Sequence, residues 1–263
     1  MPDGACYAEP ATMPPLKYFV PNGFTATSLL IGLGSIVMSA EGHFELAAWM
    51  ILWGSLLDKL DGSAARLFKA TSSFGVEFDS FADFVAFGIA PAALIYFRLT
   101  GGGGIGGSLR YLVMVACGIY ALALAIRLAR FNVTTGPDDA VFQGIPGTLM
   151  GAFVAAGFLT WDKYHGAESV LAASPVILLV CAALMVSNLR LPKLKMRKNK
   201  AINLFQIANV AIAYVFGPLM IFPEYLFGQA VAYLVIGTAV GMLTPKLPID
   251  DDEDEDAQEQ VAT

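Results

Sequence analysis

The chain has 263 residues, 56% of them hydrophobic and 14% charged, with a mean hydropathy of +0.63, against about 45–50% apolar and about 25% charged in an ordinary soluble domain. That balance excludes a water-soluble globular enzyme, a nucleic-acid-binding domain and a disordered scaffold, because none of these carries apolar sequence in such long runs. The net charge of −6 belongs to one end of the chain: Asp250, Asp251, Asp252, Glu253, Asp254, Glu255, Asp256 and Glu259 put 8 of the 22 acids in the last 14 residues, and the remainder carries +2.

Residues 1–17 hold acids and prolines with no apolar core behind a basic leader, so they are expected to be a retained N-terminal cytoplasmic segment, not a cleaved signal. From there on, windows of about 20 mostly apolar residues recur, the length that crosses about 30 Å of hydrocarbon at 1.5 Å per residue. They fall at 19–39, 44–67, 77–98, 109–131, 146–162, 169–189, 204–222 and 228–245. All are expected to be helices, because a backbone exposed to lipid must satisfy its own hydrogen bonds. Strand-length alternation is absent, so the expected fold is an all-α polytopic membrane protein of about eight helices, with one catalytic domain over 18–246. Turn signals separate the windows at Glu41-Gly42-His43, Thr71-Ser72-Ser73, Gly101 to Gly104, Gly136-Pro137-Asp138-Asp139, His165-Gly166 and Pro223-Glu224. Residues 247–263 read as a disordered acidic tail. Cys6, Cys117 and Cys181 are too few and too scattered for a disulfide framework or a zinc site.

Alternating the sides of eight helices puts 13 of the 16 Lys and Arg residues on one face, among them Lys17, Lys59, Arg66, Arg127, Arg130, Lys193 and Lys195, against Arg98, Arg110 and Lys163 on the other. By the bias of basic residues toward the cytoplasm, both termini are expected there. The run Arg190 to Lys200 holds six positive charges, which serve as a topology signal beside anionic headgroups or help to gather anionic lipid.

The second and third windows carry four aspartates, Asp58 and Asp61 three apart and Asp79 and Asp83 four apart. An aspartate near the membrane centre costs about 2.5–3.5 kcal/mol on insertion scales, so four require a cationic partner. At 100° per residue Asp58, Asp61, Gly62, Ala65 and Arg66 share an arc of about 140°, and Gly75, Asp79 and Asp83 share one of about 80° on the next helix. Two facing arcs of hard oxygen ligands, without His or Cys, suit two divalent cations, Mg²⁺ or Mn²⁺, a common device of phosphoryl chemistry. Lys59 and Arg66 alone cannot balance four carboxylates. Gly62, Ala65 and Gly75 clear side chains from the same face, which lets a phosphate-bearing ligand approach the backbone.

The pattern Asp58-x2-Asp61-Gly62-x2-Ala65-Arg66-x8-Gly75-x3-Asp79-x3-Asp83 resembles the complete signature of the CDP-alcohol phosphotransferases. The resemblance implies a transmembrane enzyme that moves a phosphatidyl-type group from a CDP-linked lipid to an alcohol and releases CMP. It further implies Asp58, Asp61, Asp79 and Asp83 as ligands of two divalent ions, Asp83 also as general base, and Gly62, Ala65, Arg66 and Gly75 around the nucleotide.

Further segments are similar to the membrane-embedded phosphatidylserine synthases of this superfamily: Pro21-Asn22-Gly23-Phe24-Thr25, Arg127-Leu128-Ala129-Arg130-Phe131-Asn132, Phe142-Gln143-Gly144-Ile145-Pro146-Gly147 and Leu184-Met185-Val186-Ser187-Asn188. That similarity implies CDP-diacylglycerol and L-serine as substrates, in an integral protein of the cell inner membrane that acts at the cytoplasmic leaflet, pairs as a homodimer and binds no nucleic acid. Asn22 and Thr25 are either nucleotide contacts or helix-capping residues. Arg127 and Arg130 either meet a substrate carboxylate or lipid phosphate, or snorkel to the interface. Asn132 either contacts serine or caps its helix, and Lys193 and Lys195 are candidate lipid contacts. A sister enzyme acting on glycerol 3-phosphate or inositol phosphate, an ether-lipid donor, a cation transporter and a non-catalytic lipid-binding scaffold are the competing expectations.

Overall fold

Each apolar window of the sequence coincides with helix in the computed structural model, which describes residues 19–67, 72–101, 105–134, 141–192 and 200–243. The helices are α1 (Phe19–Ala40), α2 (Phe44–Leu67), α3 (Ser73–Asp83), α4 (Ala90–Thr100), α5 (Ser108–Thr134), α6 (Gly147–Lys163), α7 (Glu168–Ala172), α8 (Ser174–Val186), α9 (Lys200–Leu219) and α10 (Pro223–Leu243). The N-terminal segment 1–17, the acidic tail 247–263 and both Lys193 and Lys195 lie outside the described residues.

Two local features depart from the expected pattern. The third window is a single 28-residue helix from Ser73 to Thr100, interrupted by a π-helical turn at Phe84–Ile89 that joins α3 to α4. The sixth divides into α7 and α8 at Ala173, where Pro175 in the first turn of α8 has no N–H to continue the preceding helix.

A short antiparallel ribbon also forms where only turns are expected, β1 (Val141–Gln143) pairing with β2 (Arg190–Pro192) so that Phe142 lies opposite Leu191. Strands of three residues are too short to leave a period-2 signal. What fixes them is tertiary: Leu191 is fully buried against Gly237 of α10, and the Gly144 N–H donates to the Leu189 carbonyl at 2.8 Å.

Among the described residues, four helical stretches are long and apolar enough to cross a bilayer, Val20–Ala40, Ser73–Thr100, Ser108–Val133 and Pro223–Leu243, with Ser174–Val186 and Gln206–Leu219 as shorter apolar helices. Length and hydropathy thus account for four of the eight expected crossings. Helix α2 has 24 residues, but Asp58, Lys59 and Asp61 dilute its apolar character, and α6 has only 17. On the outer face of α5, Leu112, Val115, Ile119, Leu122 and Ile126 are exposed, as lipid contact requires and water does not favour. The chain is an integral membrane protein.

The core centres on Trp49 of α2, Phe87 of the π turn, Tyr120 of α5 and Met150 of α6, all essentially inaccessible. Helices α1 and α2 form a tight antiparallel pair, joined by Ser35 Oγ donating to the Ala47 carbonyl at 2.8 Å and Ser28 Oγ to the Gly54 carbonyl at 3.3 Å. On the other side of α2, Trp53 Nε1 donates to the Gly217 carbonyl and the Tyr214 hydroxyl to the Leu56 carbonyl, each at 2.8 Å, and these bonds fix α9. The end of α2 that bears the aspartates is therefore held between α1, α6 and α9.

Candidate functional site

Helix α2 presents Asp58 and Asp61 on one side because three residues span most of a turn, and α3 presents Asp79 and Asp83 by the same rule at a spacing of four. The start of α3 is set by Ser72, in extended conformation, whose side chain accepts from the Gly75 N–H at 3.0 Å, a standard N-terminal cap. The two faces meet. Asp58, Asp61 and Asp79 each offer a carboxylate oxygen within 4.8 Å of the others, and the buried Asp83 carboxyl lies within hydrogen-bonding reach of Asp58.

Two hydroxyls orient this cluster. Thr25 Oγ1 donates to Asp61 Oδ2 at 2.9 Å, and Thr148 Oγ1, in the first turn of α6, donates to Asp58 Oδ2 at 3.3 Å. Asp61 Oδ1 also accepts from the Gly62 N–H at 2.6 Å. Thr25 lies well inside α1, so it does not cap that helix, and its partner is a candidate metal ligand. Asn22, on the same helix, sits beside Gly75: a Cβ there would come within 3.4 Å of Asn22 Oδ1. Thr25 and Gly62 thus both bond Asp61, while Asn22 and Gly75 lie against each other. Ala65 and Arg66 lie one turn further along the α2 backbone, and their side chains are outside the described residues.

Arg127 of α5 is 6% exposed and has Asp83 and Asp58 as electrostatic neighbours. Its Nε has no hydrogen-bond partner, and the guanidinium carbon stands 5.6 Å from the centre of the Phe131 ring. A buried guanidinium with an unused donor beside Asp83 and Asp58 is chemically able to meet an anionic group.

Arg130, three residues on, is used differently. Its guanidinium donates to the carbonyls of Val186 at 2.9 Å, Gln143 at 3.1 Å, Ser187 at 3.1 Å and Met185 at 3.4 Å, so it closes the C-terminal end of α8 against the ribbon. Asn132 Nδ2 donates to Ser80 Oγ at 3.0 Å and ties α5 to α3 beside Asp79.

Sequence reading missed Thr148, Ser80 and Tyr214 as neighbours of the cluster. Only Thr148 carried a signal, as a hydroxyl directly after Pro146-Gly147 at a helix start.

The donor set fits a hard divalent cation: three carboxylate oxygens converge, a fourth carboxyl touches one of them, and among the described residues none of the four aspartates is ion-paired with Lys or Arg. Asp58, Asp61 and Asp79 would hold such an ion, with Asp83 completing the set.

A family model described as CDP-alcohol phosphatidyltransferase matches residues 18–187. A CDP-diacylglycerol–serine O-phosphatidyltransferase of Helicobacter pylori is 38% identical over 203 residues, 76% of this chain and 82% of the relative. The protein of that name from Mycobacterium leprae is 30% identical over 79% of this chain and 68% of its own length. An archaetidylserine synthase of Methanothermobacter thermautotrophicus is 32% identical over 62% of this chain and 64% of its own. The match covers α1 to α8 and every residue of the aspartate cluster, and the chain belongs to the CDP-alcohol phosphatidyltransferase family.

Proposed function

We propose that the protein transfers the phosphatidyl group of CDP-diacylglycerol to the hydroxyl of L-serine, giving phosphatidylserine and CMP. The observation that carries this reading is the convergence of Asp58, Asp61 and Asp79 within 4.8 Å, with Asp83 against Asp58, on two facing helices. Bound there, two Mg²⁺ or Mn²⁺ ions would supply Lewis-acid polarisation of the diphosphate and offset the charge that develops on CMP.

The chain's own groups do the rest. Asp83 takes the proton from the serine hydroxyl, whose oxygen bonds to the lipid phosphorus as the bond from phosphorus to the CMP oxygen breaks. Arg127, with its free Nε, receives the serine carboxylate or the lipid phosphate. Asn22, Thr25, Gly62, Ala65, Arg66 and Gly75 border the cytidine diphosphate. Arg130 and Asn132 act at one remove, by holding α5 against α8 and α3, and Lys193 and Lys195 gather anionic lipid.

The bias of basic residues supports a site open to the cytoplasmic leaflet of the inner membrane, with eight crossings and both termini on that side. Two copies pair as a homodimer, an assembly that rests on the family resemblance and is tested by crosslinking in native membranes.

The archaetidylserine synthase relative favours one second reading, an ether-linked donor with the same headgroup chemistry. CMP release by purified protein, with CDP-diacylglycerol or its ether analogue as donor and L-serine, glycerol 3-phosphate or inositol phosphate as acceptor, separates these. Release only with serine is expected. Release with another acceptor overturns the assignment of serine, and no release with any pair overturns the reaction itself.

A further inference from the structure

Asp83 is immediately followed by the π turn Phe84–Ile89. A π turn inserts one residue into an α-helix, so everything before it is rotated by about 100° relative to everything after it. The register after it is fixed by packing, since Ala90, Pro91, Ala92, Leu94, Ile95 and Leu99 of α4 are buried. The direction in which Asp79 and Asp83 point therefore depends on the turn. Without it they would be turned by about 100° from the position that meets Asp58 and Asp61.

The sequence explains why the turn forms, and α5 explains why it lasts. Pro91 has no N–H, so the Phe87 carbonyl four residues earlier loses its ordinary helical donor. A buried carbonyl left without a partner is costly. Tyr120, fully buried on α5, supplies the donor: its hydroxyl lies 2.9 Å from the Phe87 oxygen.

Backbones close around the same turn from three other helices. A Cβ on Gly32 of α1 would lie 2.8 Å from Ala86 Cα, one on Gly151 of α6 would lie 2.9 Å from Phe87 Cδ1, and one on Gly54 of α2 would lie 3.7 Å from Ala86 Cβ.

We infer that Tyr120 is a positioning residue of the active site: by bonding the Phe87 carbonyl it holds the π turn, and the turn holds Asp79 and Asp83 in register with Asp58 and Asp61. Only the turnover arm of its test rests on the reaction proposed above.

The test compares Tyr120→Phe with the wild type in detergent, reading Mn²⁺ affinity by electron paramagnetic resonance without substrate, and kcat and KM for serine-dependent CMP release. Tyr120→Phe is expected to weaken Mn²⁺ binding and lower kcat, each by about tenfold, the scale of lost support behind a metal ligand, with the KM for serine unchanged. Pro91→Ala, which restores an N–H at position 91 and with it the ordinary helical donor to the Phe87 carbonyl, is expected to weaken Mn²⁺ binding as well, because the turn then closes into α-helix and rotates Asp79 and Asp83. Cys117→Ala is the packing control, because Cys117 Sγ contacts the Ala92 carbonyl at 3.3 Å, on the same helix pair but beyond the turn; it is expected to leave both readouts unchanged whatever its melting temperature.

Wild-type Mn²⁺ affinity and kcat in Tyr120→Phe overturn the inference. So does wild-type Mn²⁺ affinity in Pro91→Ala, or a Cys117→Ala loss equal to that of Tyr120→Phe. If the wild type releases no CMP, the proposed reaction falls while the Mn²⁺ comparison still decides the role of Tyr120.

Discussion

The Thr25 hydroxyl on α1 donates to Asp61 Oδ2 on α2 at 2.9 Å, across 36 residues of sequence. Asp61 Oδ1 is already engaged by the Gly62 N–H, so Thr25 fixes the orientation of the second oxygen and leaves its remaining lone pair for a cation. Thr25→Val keeps the shape and deletes the donor. It is expected to lower metal affinity or activity by about 10–100-fold, while Thr25→Ser retains most of both, as read by Mn²⁺ titration and CMP release.

Asp83 is the one aspartate of the four that lies outside the 4.8 Å triad while touching it through Asp58. In the proposed reaction its carboxylate is the proton acceptor for the serine hydroxyl. Asp83→Asn is expected to lower kcat by about 100- to 10,000-fold, the usual weight of a general base, with CDP-lipid still bound. Asp61→Asn should instead abolish both turnover and Mn²⁺ binding. Single-turnover assays beside equilibrium binding of the nucleotide separate the two patterns.

The site was legible in the sequence where burial of charge is most expensive. Four aspartates inside apolar windows demand a shared cation, and spacings of three and four put each pair on one helix face, which is where Asp58, Asp61 and Asp79 converge. Helix positions were legible for the same reason, since lipid leaves the backbone few alternatives. What could not be read were the partners that chain folding brings from afar. Thr148 reaches Asp58 across 90 residues, and Tyr120 reaches Phe87 across 33; neither has a local pattern. The ribbon is too short for periodicity, and the π turn announces itself only through Pro91, which equally suits an ordinary helix start. Arg127 and Arg130 look alike in the sequence, and only the structure separates the arginine with a free Nε from the one that bonds four carbonyls.

That separation predicts opposite phenotypes. Arg127→Lys keeps a positive charge beside Asp83 and Asp58 but loses the planar fork, so the KM for L-serine or for CDP-diacylglycerol is expected to rise about tenfold or more, the worth of a charged hydrogen bond. Arg130→Lys cannot satisfy the carbonyls of Gln143, Met185, Val186 and Ser187 together. It is expected to cost about 1–3 kcal/mol of stability while the folded enzyme keeps its KM for both substrates. Thermal unfolding in detergent, measured beside steady-state kinetics, checks both.

Gly144 tests the same corner from the backbone. It adopts φ of +76°, a conformation that L side chains rarely take, and a Cβ there would collide with the Met185 carbonyl, Arg130 Nη2 and the Ser187 carbonyl. Strain alone costs about 1–3 kcal/mol for a residue held in the left-handed region. The collision adds to it, because the two carbonyls end α8 and cannot retreat without unwinding its last turn, and the guanidinium cannot leave without abandoning its acceptors. Gly144→Ala is therefore expected to lower the melting temperature more than Arg130→Lys does. Because Gly144 meets Arg130 and the end of α8 and not Arg127, the folded variant is expected to keep its KM for serine, as Arg130→Lys does. A Gly144→Ala enzyme that melts like the wild type would mean that the ribbon and the end of α8 do not hold α5 in place.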